Sequence, residues 1–522
     1  MKLKQQSLVS AGSLNRMLQA AEEAWKRKDF QKNIELLERA SRLNPANASI
    51  LLQLGRMYGL RYDYAAAERC FEKAVRIAPK KTQVLWAAGM QSHDFRNLDL
   101  AERYLRLAVE QKDATPDMLI NLADIYERLR RMDDANTLVG RALQSNSACP
   151  SALLARARLD RQAGRLDEAE KLLRSFPACG RTVCIRAWYE LGAILDRQGR
   201  YDEAMSAFLE AKALLRPDVV PFAANLPTLR ARQKEMRANI STEMLQRWFD
   251  FGRTLQPPHR LALLCGHPRS GTTLLEQVLD SHPDIVSAEE TAIFHDEVYF
   301  RLARSLPQGS LMLSVLEAAQ TDALQQSRAN YFRSMELLLG NPIGNRLLID
   351  KNPSMILLIP AFIRVFPEIK LLVALRDPRD VCLSCFMQPF LTLNQTTSDY
   401  NMNTSGYVTI QGTVEEYTSL MDKWRTIAPL IKTPHLEVRY EDMVDDLESV
   451  ARRTLDFLGV PWDARVLGFD EYARQKIVRS PTYIDVTKPV YKGAVGRWRH
   501  YQKYFEPCLK KLDPFVKAFG YE

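Results

Sequence analysis

The sequence predicts a multidomain chain: an all-α helical-repeat solenoid followed by an α/β domain with a central parallel sheet. Three observations lead there. The first half repeats itself every 34 residues in helical texture. From Arg260 onward the pattern changes to short apolar runs that alternate with turn residues and helical stretches, as in a parallel α/β sheet. The first such run, Leu261 to Leu264, leads straight into the glycine-spaced loop CGHPRSGTT. A length of 522 residues exceeds one ordinary core, and roughly two to four domains are expected. With 46% hydrophobic and 26% charged residues, a chain dominated by disorder is excluded. The expected boundaries are a solenoid over 14–218, a helical linker over 219–258 and the α/β domain over 259–522.

The solenoid is read from its period. The stretch ILLQLGRMYGLRYDYAAAERCFEKAVRIAP puts Leu54, Gly55, Tyr58, Ala67, Phe71, Ala74 and Pro79 at the signature positions of a tetratricopeptide repeat. Frames start at Leu14, Ala48, Thr82 and Pro116, each 34 residues on, with a fifth near Pro150 and a sixth near Ile185. Small residues let paired helices approach closely. They recur at Gly55, Gly89, Ala123, Ala157 and Gly192 on first helices, and at Ala67, Ala101, Ala135, Ala169 and Ala204 on second helices. Stacked pairs form a right-handed superhelix with a concave groove suited to a peptide or protein partner. Arg56, Asp124 and Arg158 are groove-facing candidates, and their mixed charge names no ligand. After Pro221 the pattern lapses: PFAANLPTLRARQKEMRANI reads as a loop and a basic helix, and STEMLQRWFDFGRTL as another helix ending before Pro257-Pro258.

Four strands are expected, at 261–265, 346–350, 370–376 and 435–440. The C-terminal ends of parallel strands form the ligand crevice. At the first of these ends, Gly266 and Gly271 followed by Thr272 and Thr273 have the spacing of a phosphate cradle, but Thr272 stands where a lysine would reach terminal phosphates. The N–H groups of Ser270 to Thr273, at the start of a helix, would face an anion, and Arg269 supplies a cation. A second constellation is ALRDPRDVCLSCF. Arg376 ends a strand, Pro378 opens a helix, and Ser384 follows nearly two turns in, on the same side. A guanidinium fork with a hydroxyl suits a phosphate monoester; a solvated surface turn is the alternative. Cys382 and Cys385 form a lone CxxC in that helix, read as small packing residues, and the eight cysteines give no two-pair metal spacing.

PRSGTT together with RDPRDVCLS resembles the paired 5′-phosphosulfate and 3′-phosphate loops of sulfotransferases that use 3′-phosphoadenosine 5′-phosphosulfate (PAPS) and release PAP. The resemblance runs from about Leu261 to Trp498. Its nearest flavour is tyrosylprotein sulfotransferase, through HPDIVSAEET, IDKNP, VRYEDMVDDLESVARRTLDFLGVPW and RSPTYIDVTKPVYKGAVGRW. The repeats make the whole architecture similar to bacterial repeat-containing sulfotransferases. The resemblance implies that Arg269, Ser270, Gly271, Thr272 and Thr273 hold the 5′ end of the donor. It places Arg376 and Ser384 on the 3′-phosphate, and Tyr440, Ser480 and Arg497 in the rest of the donor site. Glu290 aligns with the general base and Lys351 with the cation on the leaving oxygen; Arg269 also serves the transferring group. Two positions depart: Arg497 stands where the animal enzymes have lysine, and Gln388 where they have another donor-binding arginine.

A base must reach the acceptor hydroxyl; cytosolic small-molecule sulfotransferases use a histidine after their lysine segment, and since the similar segment here, KNPSM, has none, the resemblance implies a carboxylate. Glu290 is preferred over Glu289, one of which could instead cap a helix starting near Thr291. No metal is expected, because a sulfuryl group carries less negative charge than a terminal phosphoryl. The net charge of +9 favours an anionic partner, but the excess is small for this length and a slightly basic surface is an equal alternative. The partners read from the sequence are a nucleotide donor and a peptide or protein at the groove, with no nucleic acid. The N-terminus lacks an apolar signal stretch and no segment reaches membrane-spanning length, so the expected location is cytoplasmic. Oligomeric state is left open, a dimer included. The function expected is sulfuryl transfer to a hydroxyl, a peptide tyrosine being the resemblance's choice. The alternatives are a glycan or small-molecule hydroxyl as acceptor, and a non-catalytic repeat scaffold carrying a relic nucleotide fold.

Overall fold

The computed structural model describes residues 2–252, 254–255, 259–307, 309–389, 406–476 and 485–521. It divides into two compact units, Met1–Cys179 and Gly180–Glu522.

The first unit is built of helical hairpins: Lys2–Lys26 with Phe30–Leu43, Ala48–Leu60 with Tyr64–Ile77, Lys81–Asp94 with Leu98–Val109, Pro116–Arg128 with Met132–Ser145, and Pro150–Gln162 with Leu166–Arg174. The 34-residue period is written into the backbone. Lys28, Tyr62, Arg96 and Arg130 all adopt left-handed φ at the hairpin turn, and Gly164 continues the series. Asp29, Asp63 and Asn97 come next, each accepting from a backbone N–H three residues on and capping the second helix. The small residues act as expected: a Cβ on Gly55 would lie 2.5 Å from Phe71, and one on Gly89 would lie 2.6 Å from Leu105. Ala67, Ala101, Ala135 and Ala169 are fully buried. The groove candidates are engaged between repeats. Arg158 pairs with Asp124 and Glu127, while Arg56 lies 3.8 Å from Asp94.

The second unit opens with a sixth hairpin, Arg181–Arg197 and Tyr201–Ala223. Its second helix runs past Pro217, so the loop expected from Pro221 is helical as far as Ala223; the helices Leu226–Asn239 and Thr242–Gly252 follow. Next comes a five-stranded, all-parallel sheet: β1 (Leu261–Gly266), β2 (Ile285–Glu289), β3 (Leu347–Lys351), β4 (Lys370–Leu375) and β5 (His435–Arg439). Their order across the sheet is β2-β3-β1-β4-β5. Four of these strands were expected within a residue or so; β2 was not. Its five residues, IVSAE, carry a buried Ser287 and Glu289 that interrupt the apolar run a strand is recognised by. Among the described residues no helix is long and apolar enough to cross a membrane.

Candidate active site

The sheet lays the site out as a row along its C-terminal edge. Glu289 of β2 is level with Lys351 of β3, Lys351 is level with Leu264 of β1, and Gly266 is level with Ala374 of β4. Leu375 pairs with Arg439 of β5, so the next residues, Arg376 and Tyr440, emerge side by side. Glu290, Lys351, the glycine loop, Arg376 and Tyr440 thus come from distant parts of the chain by register alone.

At the centre, β1 ends in the loop and the helix Thr272–Asp280 begins with Gly271 at its cap, φ +88°. The Ser270 N–H closes the turn on the His267 carbonyl at 3.2 Å. This corrects the sequence reading, which turned that group toward a ligand: the Ser270 N–H is already engaged within the loop. Arg269 holds a left-handed φ of 72° and donates from Nε to Ser384 Oγ at 3.0 Å. Arg376 donates from Nη1 to the Arg269 carbonyl at 3.2 Å and from Nη2 to the Ala494 carbonyl, and stacks 4.7 Å from the Tyr440 ring. Its buried Nε has no hydrogen-bond partner among the described residues, as fits a guanidinium that awaits an anion. Arg376, Asp377 and Asp380 are all buried, which rules out the solvated turn. Cys382 and Cys385 are buried on the same helix, Pro378–Phe386.

At the other end of the row, Lys351 is fully buried, and its Nζ touches three carboxylates: Glu276 at 3.2 Å, Glu289 at 3.3 Å and Glu290 at 3.2 Å. Burial works against its charge, but the three acids overcome that and hold the ammonium protonated. The Glu290 N–H donates to the Lys351 carbonyl at 2.6 Å, and Asn352 Nδ2 donates to the Thr291 carbonyl. These bonds fix Glu290 with a left-handed φ of 49°. Glu290 is 25% exposed and Glu289 5%. The helix expected near Thr291 begins later, as the π-helical turn Phe294–Tyr299, without a side-chain cap.

Arg497 pairs its Nη2 with Asp196, and its backbone neighbours Gly496 and Trp498 donate to Asp380 on the helix of Ser384. Gln388 lies just beyond the Pro378–Phe386 helix. Ser480 falls outside the described residues.

Residues 262–464 match the family model described as "Sulfotransferase family", and 47–78, 120–182 and 185–217 match tetratricopeptide repeat models. The second unit contains a sulfotransferase-family domain. An uncharacterized protein of Aquifex aeolicus is 25% identical over 352 residues, 67% of this chain but only 44% of that protein. Protein-tyrosine sulfotransferase 2 of Gallus gallus is 27% identical, covering 50% of this chain and 69% of that one. Protein-tyrosine sulfotransferase 1 of Danio rerio is 28% identical, covering 46% and 65%. Among solved structures, the sulfotransferase domain of the Synechococcus PCC 7002 olefin synthase is 25% identical, with a TM-score of 0.31 over 47% of this chain and 89% of that one.

The sulfotransferase domain uses residues that the sequence did not single out. Glu276 lies in the apolar-looking LLEQVLD helix, fully buried, and accepts from Ser287 Oγ at 2.9 Å. Burial pushes its carboxyl up to about 7, against the pull of Lys351. A carboxyl held protonated in the fold stabilises it at low pH, and that contribution is lost as pH rises from about 4.5, its ordinary value, through about 7. Glu276→Gln is therefore expected to gain stability relative to the parent chain over that window. Thermal unfolding of both proteins at pH 5 and 7.5 checks it.

Gly271 is the other fixed point of the sulfotransferase loop. A Cβ there would lie 2.7 Å from the Tyr440 ring, on a φ that L residues rarely adopt. Gly271→Ala is expected to cost ~1–3 kcal/mol of stability, measured by thermal unfolding.

Proposed function

We propose that this chain transfers a sulfuryl group from PAPS to an acceptor hydroxyl, with a peptide tyrosine as the acceptor. The observation that carries the reading is the row itself: a carboxylate–lysine pair and an arginine–hydroxyl cluster flank one phosphate-type loop on a parallel sheet's C-terminal edge. The names of the animal relatives, protein-tyrosine sulfotransferases, support tyrosine. The tetratricopeptide matches support a peptide or protein partner. The same reading keeps the enzyme cytoplasmic.

In this reading Arg269 and the N–H groups from Gly271 to Thr273 hold the 5′-phosphosulfate, with Ser270 shaping the turn. Arg376 and Ser384 hold the 3′-phosphate, and Tyr440, Ser480 and Arg497 complete the donor site. Glu290 takes the acceptor proton as the oxygen–sulfur bond forms and the bond from sulfur to the 5′-phosphate oxygen breaks. Charge then grows on PAP. Protonation of Glu290 loosens its grip on Lys351, which releases an ammonium N–H toward the leaving oxygen at the moment it is needed. Base and cation are thus coupled. No metal is required, since fixed N–H groups and two cations meet the modest charge of a sulfuryl group.

Purified protein incubated with sulfur-labelled PAPS and tyrosine peptides is expected to yield labelled peptide that survives until sulfatase treatment. Labelling of glycans or small hydroxyl compounds alone would move the acceptor class. Absence of any transfer, with PAP also failing to bind, would overturn the reading.

A further inference from the structure

We infer that Asp196, on the sixth helical hairpin, is a positioning residue for Arg497, which makes that hairpin a working part of the donor site. The inference rests on the proposed role of Arg497 in holding the donor.

Arg497 is fixed from two sides by different elements. Its backbone belongs to the α/β domain: the N–H groups of its neighbours Gly496 and Trp498 both donate to the buried carboxylate of Asp380, at 2.6 and 2.8 Å. Asp380 lies on the same helix as Ser384, and Arg376 holds Ala494 three residues before Arg497. The backbone of 494–498 is therefore laced to the arginine–hydroxyl cluster. The guanidinium is held otherwise. Nη2 donates to Asp196 Oδ2 and lies 3.9 Å from the sulfur of Met387, three residues after Ser384. The other oxygen of Asp196 accepts from Tyr501 at 2.7 Å. Arg497 Nε and Nη1 have no hydrogen-bond partner among the described residues.

The hairpin that carries Asp196 is itself anchored. Lys212, fully buried on its second helix, donates to the Tyr407 carbonyl at 2.7 Å and to the Gln388 carbonyl at 3.5 Å. Tyr201 stacks on His500 at 4.2 Å. A side chain as long as arginine loses much rotamer freedom when it binds a phosphate, and a partner that has already ordered it removes that loss. Asp196 provides the ordering, and the hairpin provides Asp196.

The test uses the full-length chain and PAP as probe. Asp196→Asn is expected to raise the PAP dissociation constant and the KM for PAPS by roughly tenfold, with kcat changed far less. Tyr501→Phe, which removes a neighbour of Asp196 but leaves the ion pair, is expected to stay within about twofold of the parent. A merely structural contact would make the two variants act alike. In an Arg497→Ala background, Asp196→Asn is expected to have no further effect. Should Asp196→Asn not fold, Asp196→Glu keeps the charge, displaces the guanidinium by one methylene, and is expected to raise KM in the same sense. Unchanged or tighter PAP binding in the Asp196 variants, with Arg497→Ala weakened, overturns this inference alone. Unchanged binding in Arg497→Ala removes the donor role of Arg497 and the inference with it. No PAP binding by the parent chain overturns the proposed function.

Discussion

Glu290→Gln is expected to lower turnover by about two to four orders of magnitude while PAP binds as before, the range for losing a positioned base. The amide keeps the shape and an acceptor for Lys351, but it cannot take a proton. The proposed choice of Glu290 over its neighbour is supported by geometry. Both carboxylates reach Lys351 Nζ at nearly the same distance. Glu289 does so from inside the sheet at 5% exposure, level with Lys351 in the ladder. Glu290 does so from the first residue beyond β2, at 25% exposure, with the backbone turned into the left-handed region. In the second unit, the described non-glycine residues with such a backbone are Arg269 and Glu290. Strain of this kind persists where the surroundings over-determine it, and it concentrates at working sites. Glu289→Gln is accordingly expected to act through the burial of Lys351, and so to affect stability more than turnover. Steady-state transfer from labelled PAPS, beside calorimetric titration of PAP, separates the two variants. Near-normal turnover in Glu290→Gln would refute its role as base.

The repeat architecture was legible because a solenoid makes one demand over and over. A close helix crossing needs Gly55 or Gly89 opposite an aromatic or branched side chain, so composition carries the period openly. The glycine loop and RDPRD were legible for a related reason: each is a local motif whose chemistry lies within a few residues. The rest depends on register and tertiary contact. Five residues of β2 carry too few apolar positions to announce a strand, yet that strand brings Glu289 level with Lys351. Glu276 reads as the polar face of a short helix and is fully buried. Asp196 reads as the solvated end of a repeat helix, although it meets Arg497 from 301 residues away. Residues whose meaning depends on a distant partner are silent in the sequence. The LLEQVLD helix did hold one signal: its acid follows directly on the loop, where a helix packed on a parallel sheet should be apolar.

Lys351→Met is expected to be the most destabilising single change in the domain, at ~3–5 kcal/mol, because it leaves a buried cluster of acids without its cation. The ammonium is fully buried and faces three carboxylates, two of them on elements that cannot move away: Glu276 is fixed by Ser287, and Glu289 by the sheet. Methionine fills much of the volume but offers the acids nothing. They must then take up protons to stay inside, which ties the defect to pH. Without the lysine each folded-state carboxyl pKa lies higher, so the unfolded chain, which ionises at ordinary values, gains more as pH rises. The deficit of Lys351→Met should therefore be small near pH 4.5 and grow toward pH 8, whereas a simple packing defect would be the same at both. Thermal unfolding across that range decides between them. A second change sharpens the test: adding Glu276→Gln to Lys351→Met removes one uncompensated acid and should recover part of the stability without recovering turnover. A Lys351→Met protein that unfolds like the parent at every pH would show that the three acids do not depend on this cation. The coupling of base and leaving-group cation through Lys351 would then have to be abandoned.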